Sequence, residues 1–275
     1  MVALHACTAR LRQRNIRGLR AVATEACRRA ENGIEFLHQV KAETGLEIDV
    51  ISAREEAELA LESCAQLLIG SARRALLFDI GGGSTELAWV RLDAGRPPAL
   101  IGYVSLPVGV VNLAERYAGE AFSPDGFDAM AEDVAVRLAP FEAVHCIARE
   151  IRGGGVLLLG TSGTVTTLAG IARNLLRYSR PLIDGTVLTR DEARTALERL
   201  RAMGRDGLEQ SPCVGPDRVE FVLPGCAIFA AIAQVWPAPK LVVADRGLRE
   251  GMLLRMMRNV RAHPRYRNAY RLRPP

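Results

Sequence analysis

The chain has 275 residues, 49% of them hydrophobic and 5% aromatic, with a net charge of +5. That length supports one large domain or two ordinary ones, each with its own core, and the composition excludes a disordered or fibrous chain. No uninterrupted apolar run reaches the ~20 residues that cross a bilayer, and the opening MVALHACTARLRQRN is helical in pattern without a signal-peptide cleavage region, so an intracellular, cytoplasmic protein with no membrane partner is expected.

In chain order, a helical opening (3–14) leads to a short strand in GLRAVAT (18–24). EACRRAENGIEFLHQVKAETG then carries apolar residues at helical spacing and stops at Gly45. LEIDVIS (46–52) is a strand and AREEAELALESCAQLLIG a helix ending at Gly70. RALLFDI, STELAWVRL and ALIGYVSLPVG follow as three strands with short turns. Residues 111–152 are mainly helical, and VLLLGTSGTVTTLAGIA (156–172) reads as a buried strand, a glycine turn and a helix. Thr189 and Glu192 have capping-box spacing at the head of a helix over 189–204. VEFVLPGCAIFAAIAQVW (219–236) is an apolar helix interrupted near Pro224-Gly225, and LVVADRGLREGMLLRMM (241–257) is strand, turn, helix. Strand–helix alternation followed by a strand cluster predicts an α/β fold with a mixed sheet, and the two glycine turns predict two lobes facing one another.

Cys7, Cys27, Cys64, Cys146, Cys213 and Cys226 are scattered. None forms a C-x-x-C pair, and His145 beside Cys146 is the one histidine adjacent to a cysteine, so they read as buried hydrophobes rather than a zinc site or disulfide framework. The positive charge, carried almost wholly by Arg, suits an anionic partner. The tail RAHPRYRNAYRLRPP (261–275) reads as a solvated end rather than a nucleic-acid contact.

Three stretches carry chemistry. In FDIGGGSTEL, Gly81, Gly82 and Gly83 can adopt positive φ and leave backbone N–H groups open to a phosphate, with the Ser84 and Thr85 hydroxyls beside them. Asp79 and Glu86 repel phosphate, so they would act through Mg²⁺ or water; a glycine bulge in a hairpin is the alternative. There is no G-K-[ST], so this is not a P-loop. In GTSGTVTTL, Gly160 and Gly163 free the backbone while Thr161, Ser162 and Thr164 stand at a helix N-terminus, an anion site or an ordinary cap. In ISAREEAELA, Ser52 and Glu55 have capping-box spacing, which leaves Glu56 as the free acid, either a general base or part of a solvated acidic face.

The ordered set ATEACRRAENG, ISAREEAELA, FDIGGGSTEL, SLPVGVVNLAERY, GTSGTVTTLAG and ADRGLREGMLL resembles the exopolyphosphatase/guanosine pentaphosphate phosphohydrolase family over roughly residues 15–257. The resemblance implies a two-lobed ribonuclease-H-like fold of the actin, sugar-kinase and heat-shock ATPase superfamily, with the site between the lobes. It implies Mg²⁺-dependent removal of the terminal phosphate of polyphosphate or of guanosine pentaphosphate. It places a phosphate loop on Asp79 to Thr85, metal-associated acids at Asp79 and Glu86, the catalytic glutamate at Glu56, and a second phosphate-side loop at Gly160 to Thr164.

One departure stands at the front: no D-x-G-[ST]-N motif of the kind that opens the family occurs in residues 1–20. The expectation is a first lobe over 1–110 lacking its first strands and first phosphate loop, a second lobe with a returning helix over 111–257, and a basic tail over 258–275. A phosphoanhydride hydrolase is the leading reading; a catalytically impaired binder of polyphosphate or guanosine alarmones, and more weakly a small-molecule kinase, are the alternatives. A homodimer would cover exposed strands.

Overall fold

The computed structural model describes residues 1–262 apart from 15, 17, 69 and 71, so the basic tail lies outside the described residues beyond 262. The first part holds α1 (Val2–Arg12), β1 (Ala21–Ala23), α2 (Glu25–Arg29), α3 (Gly33–Thr44), β2 (Ile48–Val50) and α4 (Ala53–Cys64). Then come β3 (Arg74–Ile80), β4 (Thr85–Arg91), β5 (Ala99–Leu106), α5 (Val110–Arg116), α6 (Pro124–His145) and α7 (Ile147–Arg152). The remainder is β6 (Val156–Thr161), α8 (Gly163–Ala172), α9 (Arg180–Ile183), β7 (Val187–Thr189), α10 (Arg190–Ala202), α11 (Gly204–Gln210), α12 (Val219–Val235), β8 (Lys240–Ala244) and α13 (Leu248–Ala262).

Local chemistry sets several element ends where the sequence predicts them. Gly45 closes α3 in the left-handed region at φ 74°. Thr189 and Glu192 cap α10 reciprocally: Glu192 N donates to Thr189 Oγ1 at 3.2 Å, and Thr189 N donates to Glu192 Oε2 at 2.8 Å. Two expected helices differ. The stretch from Glu25 to Thr44 is two helices, because Ala30 turns extended at ψ 127° and Gly33 lies against the Cys27 carbonyl. Conversely, α12 runs unbroken through Pro224. There Gly225 crosses α8 so closely that a Cβ would stand 2.2 Å from Thr164 Oγ1, and this packing holds the helix together past the proline. The stretch Pro216–Val235 is also long and apolar enough to span a bilayer, with mean hydropathy 1.5, yet most of it is buried inside the protein.

β1 and β2 form a two-stranded parallel sheet, and the other six strands form one sheet in the order β5-β4-β3-β6-β8-β7. β3, β4 and β5 are an antiparallel meander, while β6 pairs parallel with β3 and β8 parallel with β6, the ribonuclease-H-like arrangement. The division expected near residue 110 is therefore corrected. β3, buried on both faces, needs a neighbour on each side and takes β6 as its second partner. The two sheets part between β2 and β3, and the two glycine turns lie on adjacent strands rather than on facing lobes.

Alternation along the strands assigns the two faces. Leu76, Phe78, Ile80, Leu87, Trp89 and Leu158 point into the larger core, with α6, α8 and α12. Ala75, Leu77, Ala88, Val90, Leu159 and Val242 point the other way, onto Ala57, Ala60, Leu61 and Cys64 of α4. By the same alternation Asp79, Glu86 and Thr161 fall on the α4 face. A third, small cluster of Ile51, Leu59 and Met252 ties α4 to α13.

Candidate active site

Three acids converge at the α4 face. Asp79 and Glu86 are register partners on β3 and β4, and Asp79 is also the register partner of Thr161 on β6. Glu56, in the first turn of α4, stands near enough for its charge to act on both. Burial pushes the Asp79 carboxyl up to about 6, and the negative charge of Glu56 adds to it. Burial, reinforced by Glu56 and Asp79, pushes Glu86 up to about 7, against the opposing bonds from Ser84 and Ser105. Burial raises Glu56 too, against the pull of Arg28. The Asp79 carboxylate makes no hydrogen bond or ion pair among the described residues, although it lines a cleft of about 460 Å³ with Thr161, Ser162, Tyr178, Arg180 and Arg246.

Glu56 is not the free acid that the helix-start spacing predicts. Arg28 donates to its Oε2 from Nη1 at 3.0 Å and from Nη2 at 3.1 Å, and is itself tied to Glu25 and to the Ile51 carbonyl. The capping box is half formed: Glu55 N donates to Ser52 Oγ at 3.1 Å, but the Glu55 carboxylate turns to Arg20 at 2.7 Å instead of back to Ser52. The longer-range ion pair takes Glu55 away from the cleft and leaves Glu56 facing Asp79 and Glu86.

The glycine loop is built differently from the expectation. None of Gly81, Gly82 and Gly83 has positive φ. The Gly81 and Gly82 carbonyls instead accept from Val110 N at 3.0 Å and Val111 N at 2.8 Å, so the loop caps α5. Ser84 Oγ donates to Glu86 Oε1 at 2.5 Å and Thr85 Oγ1 to the Val108 carbonyl at 2.7 Å, so neither hydroxyl proton is available to a phosphate. What remains open is the backbone of Gly82 and Gly83, whose N–H groups have no acceptor among the described residues; a Cβ on Gly83 would meet nothing.

At the second turn, Gly160 points into the opposite core, where a Cβ would stand 2.4 Å from Phe78 Cζ; it makes room for that ring rather than for a ligand. Thr161 Oγ1 donates to the Arg246 carbonyl at 2.5 Å and has no proton left for a phosphate. Ser162 is held at φ 128° ahead of α8, its Oγ buried without a partner and not capping the helix. A non-glycine residue in that region is strained, and the strain leaves the Gly163 end of α8 facing the cleft. Sequence reasoning missed Arg218, which donates from Nη2 to Gly163 O at 2.8 Å and Thr167 Oγ1 at 3.1 Å. It has no carboxylate partner among the described residues, and burial pushes its pKa down. It adds an uncompensated positive charge beside a helix N-terminus, an anion-attracting arrangement.

The acid cluster predicts a pH dependence. With folded pKa values above the ordinary carboxylate range, the folded state holds its protons more tightly than the unfolded chain, so stability falls as pH rises from about 4 to about 7. Without divalent cation, Asp79→Asn should raise stability at pH 8 by on the order of 2 kcal/mol and flatten the profile. Thermal denaturation from pH 4 to 8 measures it, and an unchanged profile in the variant would show that Asp79 is not electrostatically strained.

Residues 1–260 match the model of the Ppx/GppA phosphatase family. The chain is 29% identical over 247 residues to a guanosine-5′-triphosphate,3′-diphosphate pyrophosphatase of Photobacterium profundum, a match covering 89% of the chain and 46% of that protein. It is 27% identical over 240 residues to a provisionally named exopolyphosphatase of Haemophilus influenzae, covering 86% of the chain and 69% of that protein. The chain thus spans about half the length of the first relative and about two thirds of the second. It superposes on the crystal structure of the Aquifex aeolicus Ppx/GppA family member with a TM-score of 0.75 at 27% identity, covering 94% of this chain and 79% of that one. The family model covers nearly the whole chain, and the fold superposes on that of a solved family member, so the chain belongs to the Ppx/GppA phosphatase family.

Proposed function

We propose that this chain hydrolyses terminal phosphoanhydride bonds, as an exopolyphosphatase, a guanosine pentaphosphate 5′-phosphohydrolase or both, releasing orthophosphate in the cytoplasm. The observation that carries the reading is the convergence of Glu56, Asp79 and Glu86 beside the Gly163 end of α8. Glu56 acts as general base and takes a proton from the attacking water; its raised pKa brings it nearer to neutral pH, where such a base works best. Arg28 orients its carboxylate. The open Gly82 and Gly83 N–H groups, the head of α8 and Arg218 bind phosphate oxygens and stabilise their charge.

Mg²⁺ fits this site on its donor chemistry. A buried carboxylate needs a counter-charge, and Asp79 has none among the described residues, while Glu86 stands beside it at the paired position. Asp79, with Glu86, would hold the ion, which when bound neutralises charge on the phosphate oxygens. Mg²⁺ typically uses only one or two protein carboxylates, with water and substrate completing its shell.

The test is orthophosphate release by the purified chain with Mg²⁺ from polyphosphate and from guanosine pentaphosphate in parallel. Release from either supports the reading, and the ratio of kcat/KM names the substrate. Binding of both by calorimetry without release over hours would replace it with a binding role.

A further inference from the structure

Asp184, at the end of the short helix α9, holds the turn that forms the far wall of the cleft. Its Oδ1 accepts from Asp245 N at 3.0 Å and from Arg246 Nε at 3.1 Å, and its Oδ2 pairs with Arg246 Nη2. The side chains of Asp184 and Arg246 are 15% and 23% exposed, so this is a largely desolvated, forked pair rather than a solvated surface contact. Its base is fixed: Gly185 N donates to Val243 O and Val243 N to Thr186 O, each at 2.8 Å, bonding the residues that follow Asp184 to β8 just ahead of the clamped Asp245. Tyr178 Oη donates to Asp245 Oδ2 from the same segment.

The clamp has a consequence at the acids. The carbonyl of the clamped Arg246 receives the Thr161 hydroxyl proton, and Gly247 next to it lies over both Asp79 and Thr161, a Cβ there being 3.7 Å from Asp79 Oδ2 and 3.7 Å from Thr161 Oγ1. With its one proton committed, Thr161 Oγ1 can only accept on its cleft side. An acceptor beside the Asp79 carboxylate suits a hydrated cation and disfavours a phosphate oxygen. If the turn relaxed, the Thr161 hydroxyl could swing to the unpaired Asp79 carboxylate and compete with the cation for it.

We propose that Asp184 is a positioning residue, which clamps Asp245 and Arg246 so that the Thr161 hydroxyl is locked as an acceptor facing a divalent cation at Asp79. The proposal rests on the phosphohydrolase reading for its catalytic consequence, but not for the cation affinity itself. Outer partners of this kind typically shift metal affinity by about 10- to 100-fold.

The experiment titrates the full chain with Mn²⁺, followed by electron paramagnetic resonance, in wild type, Asp184→Asn, Arg246→Lys, Thr161→Ser and Thr161→Val, with thermal denaturation of each. Expected are about ten-fold weaker Mn²⁺ binding in Asp184→Asn and Thr161→Val, near-wild-type binding in Thr161→Ser, and a smaller loss in Arg246→Lys, which keeps the charge but not the fork. In the Mg²⁺-dependent assay, Asp184→Asn should need about ten-fold more Mg²⁺ for half-maximal rate, with KM for polyphosphate at saturating Mg²⁺ within three-fold of wild type. Unchanged Mn²⁺ affinity in a folded Asp184→Asn or Thr161→Val chain overturns the proposal, and so does a wild-type chain that binds no Mn²⁺. If Asp184→Asn fails to fold, Thr161→Val against Thr161→Ser decides. Wild-type Mn²⁺ binding with no phosphate release overturns the hydrolase reading alone and leaves this comparison valid.

Discussion

Replacing Glu56 with glutamine is expected to lower kcat for phosphate release by about 10³-fold, the scale of a lost general base, while substrate still binds. The substitution keeps the side chain's size and a carbonyl oxygen for Arg28, which now donates to Glu56 from two nitrogens. It removes the negative charge that helps to raise Asp79 and Glu86, so both acids should titrate lower in the variant than in the wild type. Orthophosphate release, substrate binding by calorimetry and the carboxyl titrations by nuclear magnetic resonance separate the two effects. Wild-type turnover in Glu56→Gln would remove Glu56 from the chemistry. Normal binding with lost turnover is the result that places the loss in the chemical step rather than in recognition.

The second large effect is structural. α13 begins at the cleft with Leu248 and packs on α4, the helix that carries Glu56, and the two backbones meet at Gly251. A Cβ there would stand 2.0 Å from the Leu59 carbonyl oxygen and 2.6 Å from its carbon, a clash with backbone that no rotamer relieves. Gly251→Ala should therefore cost about 2–3 kcal/mol, as overpacking does, and lower Tm by roughly 5–10 °C. Arg255 reinforces the same seam by pairing with Glu62 and, at 3.4 Å, with Glu55. The matched control is Gly83→Ala, where a Cβ meets nothing, so its Tm should stay at the wild-type value. Equal Tm in Gly251→Ala and wild type would mean that the α4–α13 spacing is looser than these contacts require. Because α4 positions Glu56 and the turn before α13 faces Asp79, forcing the helices apart should also reduce turnover in the fraction that remains folded.

The features legible in the sequence are those whose partners lie within a few residues. The capping box of Thr189 and Glu192, the left-handed stop at Gly45 and the strand–glycine–helix order of 156–172 formed as expected, because each depends on hydrogen bonds or φ preferences closed inside one turn. The short apolar runs bounded by turns likewise marked β3 and β4 as strands. The two acids of the motif set, Asp79 and Glu86, do come together as register partners, although the motif assigned its glycines and hydroxyls to a ligand when several serve the protein itself. Ser84 Oγ goes to Glu86 two residues on, whereas Thr85 Oγ1 goes to Val108 and the loop carbonyls to α5, two partnerships that no short motif encodes.

The helix errors have the same origin. Local propensity predicted a break at Pro224, but the close crossing of α12 over α8 at Gly225 and Thr164 outweighs it. The sheet decided the rest. Whether β3 belongs with β2 or with β6 cannot be read from either strand, since an apolar strand is equally content beside any neighbour of the same character. Once β3 took β6, Asp79 came to lie beside Thr161, and the two glycine turns became one rim. Arg218 is 55 residues from Gly163, Arg246 is 62 from Asp184, and Thr161 is 85 from the carbonyl that takes its proton. From the sequence alone, then, came the element types, the acid-flanked glycine loop and the family to which they belong, all matters of short-range hydrogen bonding, periodicity and motif. Which acids share a face, which hydroxyls keep a free proton and which cation lacks a partner were decided only by the tertiary structure, because burial and charge pairing depend on chain segments brought together across the whole sheet.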